Sequence, residues 1–593
     1  MPEHAIAGLF RKTISVLILM NMVGVLGLII DSVIISRAFG PEAMSAFQFL
    51  SPLTMIAIMI SLFVVTGIQG IYARYLGLGK LRQANTLLST MITLTAGSGL
   101  ALTAVYGIFD GEIINALGVT EDTPAIYAAA MDCLRGLFPS FVLLTVLPLL
   151  SYLLVIESRR KILLVSMAVS LVTNVTGVWL VAYVLDGSMF GVGLATTLSF
   201  YLSVAVILLD CVKRPLIFRY QVRDFSLDDI GEVCRVGSLA AEDRLFKALQ
   251  VSFVNTFLLS AVSASAVAVY ALLCSLNNIF MSVATGLSEG CFAFVSVFTG
   301  DRDGKSVAAA LKAALKETVK LETMLCGVVF VAAPLLIGAF IGADSESIRG
   351  DAIFALRLFV PHVFLYGVVR VVHKYLQAVG AYSMAYLIPV LENGVCFLPV
   401  LYLWAKEDAS TLWLSFLVAE LLTILFVVAA AWMKQHRNAL GGQSYLYLSK
   451  DYFNVGEDVF ETNLTSVVGA TKASQELQTF LEAHQPGRKE NTLLALALEE
   501  MGKNIIENNR GQKGLSVSVK VVKDEKGWLL RLRDNGRTFS PKDWLRLHED
   551  RDPVAHIGIR MISRLSTELT YTNVIGMNNL VVRTGPVPPM PAA

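Results

Sequence analysis

Charge is scarce in this chain. Of its 593 residues only 16% are Asp, Glu, Lys or Arg, while 55% are hydrophobic. A soluble globular domain carries about one quarter charged residues, so an aqueous globule is excluded for most of the length. The formal net charge is +1, which gives no overall field to attract nucleic acid, and no nucleic-acid partner is expected. Cysteines number seven, an odd count without a CxxC pair: Cys133, Cys211, Cys234, Cys274, Cys291, Cys326 and Cys396. All lie in or beside apolar stretches, which excludes a disulfide framework or zinc ribbon and leaves them as small buried hydrophobes. A cleavable signal peptide is also missing: the first apolar run, 14–39, is too long for a signal core and has no small-x-small cleavage site. A true Walker A loop is absent too. Gly300-Asp301-Arg302-Asp303-Gly304-Lys305-Ser306 has three residues where the loop requires four, and it follows an apolar run instead of a strand, excluding an ABC-type ATPase.

What the chain does have is apolar runs long enough to span lipid. A membrane helix needs about 20 mostly apolar residues, because its backbone must hydrogen-bond internally across about 30 Å of hydrocarbon. About twelve such runs are expected: 14–39, 47–76, 87–109, 126–152, 162–185, 189–212, 236–262, 265–298, 308–342, 352–378, 383–405 and 410–433.

The connections alternate in charge. One set carries Arg74, Lys80 and Arg82; Arg159, Arg160 and Lys161; Lys213, Arg214, Arg219 and Arg223; Arg302, Lys305 and Lys312; Arg370 and Lys374; and Lys434 and Arg437. The other set holds Glu42; Asp110, Glu112, Glu121 and Asp122; Asp186; Asp344, Glu346 and Asp351; and Glu407 and Asp408, with only Arg349 and Lys406 as cations. Positive loops stay inside, so the first set is expected in the cytoplasm of an inner-membrane protein, together with both termini.

The sequence also repeats weakly. Thr66-Gly67-Ile68-Gln69-Gly70, then Gly77-Leu78-Gly79-Lys80 and Ala84, is echoed about 220 residues later. There Thr285-Gly286 leads to Gly290, Gly300-Asp301-Arg302 and Lys305. Six spans precede the basic 213–235 loop and six follow it, dividing the chain into an N-lobe (1–212) and a C-lobe (236–437). Internal repeats of this kind build secondary transporters that rock about a central site.

With these motifs and Asp31-Ser32-Val33-Ile34-Ile35-Ser36-Arg37-Ala38-Phe39-Gly40 in the first span, residues 14–430 resemble the multidrug and toxin extrusion (MATE) transporter family. The resemblance implies export of organic, often cationic, compounds driven by a proton or sodium gradient. It also implies that Asp31 binds the coupling ion and that Asn174 is a polar position of the N-lobe site. Four residues after Asn174, where many relatives have an acid, this chain has Val178.

Charges at membrane depth are costly and usually line a cavity or an ion path. The second half offers Glu242, Asp243, Arg244 and Lys247 in its first span, Glu289 in the next, and Glu392 with Asn393 further on. Glu242 or Asp243 can form a structural pair with Arg244 or Lys247, while Arg135 and Arg357 are candidates to offset these acids. Glu420 is expected near a helix end, snorkelling or paired. Glu242, Asp243, Glu289 and Glu392 stand as candidate transport residues.

After a flexible 438–444 linker, residues 445–593 read as a mixed α/β domain. It has a strand near 457–463 and helices at about 467–484 and 491–508. Strands at 515–522 and 528–532 follow around a Lys526-Gly527 turn, then a helix at 558–564, strands near 567–573 and 579–583, and a proline-rich tail at 586–591. Three segments carry chemistry. Glu500, Asn504 and Asn508 share a helix face suited to Mg²⁺. Asp534-Asn535-Gly536 puts an acceptor on a turn, where it suits an adenine amino group. His556-Ile557-Gly558 opens a helix toward phosphate. In this order they resemble the GHKL (Bergerat-fold) ATPases, particularly the anti-sigma-factor kinase branch. That resemblance implies ATP and Mg²⁺ as cofactors, Glu500 as general base, Asn504 as Mg²⁺ ligand, Asp534 as adenine anchor, and Gly536 and Gly558 as nucleotide-loop glycines. His556 departs from a usual glycine, and Asn578-Asn579 stand where Gly-Thr is common.

The expected protein is thus an exporter regulated by a fused nucleotide-binding domain, with a small-molecule substrate and a lipid bilayer as its partners. The alternative is a membrane receptor whose domain acts as a serine/threonine kinase or partner-switching module on a small soluble regulatory protein.

Overall fold

In the computed structural model, residues 2–77, 80–116, 124–157, 159–185, 187–214, 218, 220, 225–261, 264–340, 346–407, 411–437, 446–448, 452, 459–484, 487–512, 514–524, 527–541, 545 and 557–584 are described. The 438–444 linker, the 586–591 tail, His556, Lys526, and Glu121, Asp122, Asp186, Arg219, Arg223, Asp344 and Asp408 lie outside them.

The first half runs α1 (Glu3–Ala38), α2 (Gly40–Phe49), α3 (Ser51–Gly77), α4 (Leu81–Ile108), α5 (Asp110–Ala116), α6 (Pro124–Leu137), α7 (Ser140–Ile156), α8 (Arg160–Tyr183) and α9 (Met189–Lys213). The second half runs α10 (Ile230–Ala261), α11 (Ala264–Gly300), α12 (Gly304–Phe340), α13 (Glu346–Ala378) and α14 (Tyr382–Val390). It continues through a π-helical turn (Leu391–Val395) into α15 (Phe397–Glu407) and ends with α16 (Leu414–Arg437).

Each of the twelve expected runs is helical, but only ten helices among the described residues are both long and apolar enough to cross a membrane. The pair α6 and α7 passes the same test only when taken together, and it is bent by 50° where Pro139 interrupts the helix. The twelfth expected span, 236–262, forms α10. It falls short on apolarity because Glu242, Asp243, Arg244 and Lys247 occupy its middle. A helix this polar at membrane depth is tolerable only where it lines protein or a cavity.

The glycines of the sequence repeat explain how the halves meet. A methyl group at Gly67 on α3 would lie 2.6 Å from the Val233 carbonyl oxygen of α10, and one at Gly286 on α11 would lie 2.7 Å from the Ile18 backbone nitrogen of α1. The two equivalent glycines thus seat each half's second long helix against the other half's first. These contacts draw the lobes together at the end of the bundle that carries the C-terminal domain.

That domain holds β1 (Val459–Leu464), α17 (Val467–Ala483), α18 (Arg488–Asn508), β2 (Val517–Asp524), β3 (Gly527–Asp534), α19 (Ile557–Leu565), β4 (Glu568–Val574) and β5 (Met577–Thr584). Its sheet has the order β1-β2-β3-β5-β4, with every neighbouring pair antiparallel. Ser466 caps α17 by accepting from Gly469 N at 3.0 Å. The helices cover one sheet face, burying Leu477, Leu494, Leu498 and Ile562 against Val519, Val521, Leu530, Leu532 and Val582. Alternation along β3 therefore turns Leu530, Leu532 and Asp534 toward the helices, and Arg531 and Arg533 toward the membrane bundle.

Candidate functional site

Between the lobes lies a cavity of about 1100 Å³, walled by α1 and α3 on one side and by α10, α11 and α13 on the other. Asp243 and Glu289 face it. Asp243 accepts from Arg370 Nη1 of α13 at 2.6 Å. Neither Arg244 nor Lys247 is its partner; Lys247 Nζ donates to Gln250 Oε1 at 2.9 Å. Arg370 and Lys374, which sequence reasoning assigned to a connecting loop, lie inside α13 and line the cavity. Glu392 is buried in the π-helical turn, 3.7 Å from Arg370. Glu242 keeps Oε2 buried without a hydrogen bond among the described residues. Arg135 offsets none of these acids, since it pairs with Asp110 at 3.3 Å, and Arg357 sits 5.3 Å from the Phe330 ring centre.

Two positions expected for ion coupling do meet. Asn174 Nδ2 on α8 donates to Asp31 Oδ2 on α1 at 2.6 Å, and both side chains are buried. Val178 is fully buried. Two further intramembrane acids are buried, of which sequence reasoning singled out only Glu420, as snorkelling or paired. Glu322 on α12 is fully buried, with neither oxygen hydrogen-bonded among the described residues. Glu420 is buried on α16, 3.5 Å from His362, and does not snorkel at a helix end. The signal for Glu420 was a lone charge inside an apolar run, whereas Glu322 closes a charged stretch with Lys316, Glu317 and Lys320 just ahead of one.

The C-terminal domain has its own cavity, about 490 Å³, between α18, β3, α19 and β5. Asn504, Asn508 and Asp534 line it, as do Arg537, Phe539 and Tyr571. Burial pushes the Asp534 carboxyl up to about 6, opposed by its hydrogen bond from Asn578. Asn578, which stood out in the sequence only as a departure, is the hub of this site. Its Nδ2 donates to Asp534 Oδ1 at 2.7 Å, and its Oδ1 accepts from Tyr571 at 2.7 Å and from Asn573 at 2.7 Å. Gly536 N also donates to Asp534 Oδ1, at 2.8 Å, and Asn509 Oδ1 accepts from Arg537 N at 2.7 Å. Glu500 does not line this cavity. A methyl group at Gly558 would lie 2.6 Å from its Oε2, so the carboxylate packs on the backbone that opens α19. The buried acceptor, the amides on one helix face and the cationic Arg537 fit an adenine nucleotide with Mg²⁺.

The domain is seated on the bundle. Asp301, just past α11, accepts from Arg531 at 2.7 Å and also from Arg533 of β3. The β4–β5 turn reaches the other lobe, where Ile575 N donates to the carbonyl of Ile156 at the end of α7 at 2.8 Å. Ile575 and Gly576 both have positive φ, 55° and 77°, the conformation of a two-residue type I′ hairpin. Val574, Ile575 and Met577 are buried in the apolar cluster that joins α1, α3 and α11.

The MatE family's sequence model matches residues 17–180 and 248–403, more than half of the chain. No curated protein matches it. Among solved structures, a MATE in complex with MaL6 superposes with a TM-score of 0.66 at 18% identity, covering 73% of this chain and 97% of that one. The Vibrio cholerae MATE transporter VcmN in its bent form gives 0.66 at 18%, covering 76% and 100%. A MOP superfamily transporter from Pyrococcus furiosus, described by the reverse polarity of its binding pocket, gives 0.63 at 19%, covering 75% and 99%. These likenesses span the membrane bundle and share its two-lobed fold; the chain belongs to the MatE family of multi-pass membrane transporters.

Proposed function

We propose that the protein is a secondary active exporter of organic compounds, driven by a proton or sodium gradient. In this reading both termini face the cytoplasm, and the C-terminal domain is a nucleotide sensor of the Bergerat type that governs the cytoplasmic seal between the lobes. The observation that carries the reading is the seating of one rigid sheet on both lobes, through Asp301 in one and Ile156 in the other. A rocking transporter opens toward the domain only if its lobes part there, and parting them breaks one of these two contacts.

Coupling is assigned to Asp31 with Asn174, a buried pair on two helices of one lobe. Asp534 suits an adenine amino group, Asn504 suits Mg²⁺, and Asn508 and Arg537 stand where a polyphosphate would extend. Bound ATP supplies a cleavable phosphoanhydride. Because Glu500 packs on Gly558 and is not among the residues lining this cavity, its placement favours nucleotide sensing over turnover. The link to the seal is one residue long: Arg533, which holds Asp301, precedes Asp534 on β3.

The test is flux by the full chain in liposomes with an imposed pH or sodium gradient. Gradient-dependent flux is expected, with a rate that Mg-ATP changes in the wild type and leaves unchanged in Asp534→Asn. Flux fuelled by ATP without a gradient would overturn the reading.

A further inference from the structure

The resemblance to multidrug transporters implies cargo that is often cationic, but the central cavity is itself cationic. Arg37, Arg244, Lys247, Arg370 and Lys374 line it, against Asp243 and Glu289 as the acids among its described lining residues. Asp243 is spent on Arg370 at 2.6 Å. Counting Glu392 and Glu420, which act on Arg370 and Lys247 from outside the cavity wall, the cations still outnumber the acids by one. Arg37 and Arg244 are exposed and make no ion pair among the described residues, while Lys374 lies 5.5 Å from the Phe292 ring and within electrostatic reach of Glu289 and Asp243.

An excess of cations at membrane depth is expensive. Low-dielectric walls focus the field of like charges into the space they enclose. An organic cation entering this cavity would meet that field as repulsion, whereas a carboxylate or phosphate would relieve it. Arg244 and Lys374 supply the donors for such a group, the guanidinium in bidentate form. The volume admits a molecule of drug size, and Val25, Val33, Leu62 and Leu239 provide apolar wall for the remainder.

We infer that the cargo is an organic anion: a carboxylate- or phosphate-bearing molecule with an apolar body, held by Arg244, Lys247 and Lys374. The inference rests on the exporter reading and names its substrate class.

The experiment uses the purified full chain and two fluorescent probes, the anion carboxyfluorescein and the cation ethidium, followed by anisotropy and then by flux in liposomes. Carboxyfluorescein is expected to bind and ethidium to bind at least tenfold more weakly. The double variant Arg244→Ala/Lys374→Ala is expected to lose roughly tenfold or more in carboxyfluorescein affinity. Arg244→Lys/Lys374→Arg, which keeps both charges, is expected to retain most of it and serves as the control for folding. Tighter ethidium binding, or carboxyfluorescein affinity unchanged in the alanine variant, would overturn the inference. Adding phosphatidylglycerol separates the sources: displacement of the probe places the natural anion on a lipid headgroup, and its retention places it in solution, with the anion class upheld either way. Anion binding without gradient-driven flux would defeat the exporter reading and leave the ligand class standing. Flux of ethidium in place of carboxyfluorescein would do the reverse.

Discussion

Asp301, at the end of α11, accepts a hydrogen bond from Arg531 on the central strand of the C-terminal sheet at 2.7 Å, across 230 residues of sequence. Its carboxylate side chain is 1% exposed, and Arg533 binds its second oxygen. Asp301, with Asp303 nearby, therefore compensates two guanidiniums taken out of water where the sheet meets the bundle. Removing one partner of a buried pair typically costs about 3–5 kcal/mol, because the remaining charge is left uncompensated. Asp301→Ala should accordingly loosen the domain from the bundle. Limited proteolysis is expected to cut ahead of the domain faster in the variant, while the thermal transition of the membrane part stays in place.

The β4–β5 turn allows a second, separable test. A β-branched residue at positive φ is unusual, and the ordinary choice ahead of Gly576 would be Asn. Ile575 nevertheless occupies the position and is fully buried in the contact with the lobes. Strain held in this way is kept where the side chain is needed. Ile575→Asn is expected to leave the sheet intact by circular dichroism, since it relieves the backbone. It should also place a polar group in the apolar contact and raise probe leak through the domain-side seal. An unchanged leak would show that the hairpin tip does not contribute to the seal.

Asp534 predicts a pH dependence. Its carboxyl is raised from 3.8 to about 6 by burial, so the folded state holds this proton more tightly than the unfolded chain. The resulting stability is complete below about pH 4 and is lost as pH rises through about 6. Nucleotide binding has the opposite sense, because an adenine N–H is accepted best by the ionised form. ADP affinity of the full chain should fall as pH drops below about 6, and in Asp534→Asn both the affinity and its pH dependence should be reduced. Calorimetric titrations between pH 5 and 8 on the two proteins check this.

Asp31 and Asn174 give a prediction inside the membrane. Asp31→Asn removes the charge but keeps the side chain's size beside Asn174. Gradient-driven flux should be lost, while carboxyfluorescein affinity, set in a cavity that Asp31 does not line, should stay within about twofold. A variant that still accumulates probe against its gradient would remove Asp31 from the coupling path.

The helices and strands were legible because their signals are local. Apolar runs of about 20 residues mark the long spans, and two-residue alternation with a turn marks the β2–β3 hairpin. Residues whose meaning depends on partners far along the chain were not legible. Arg370 and Lys374 sit a turn apart near the end of an apolar run, which reads as a loop until α10 supplies Asp243 opposite them. The span expected at 236–262 forms α10, but its charges keep it from counting as apolar enough to cross on its own. Arg531 and Arg533 alternate like any solvated strand face, and only the fold brings Asp301 beneath them. Asn578 differs from the family pattern it was compared with, yet it supports Asp534 directly.

The claim that the C-terminal domain governs the seal is tested most directly by the distance between the lobes at their domain side. Spin labels at Arg82→Cys on α4 and Lys312→Cys on α12, both exposed positions in opposite lobes, would report it in a background without native cysteines. Full-length protein in lipid should give different distance distributions with and without saturating Mg-ADP, and Asp534→Asn should abolish the difference. Identical distributions in the wild type, with ADP binding verified in the same samples, would contradict the account.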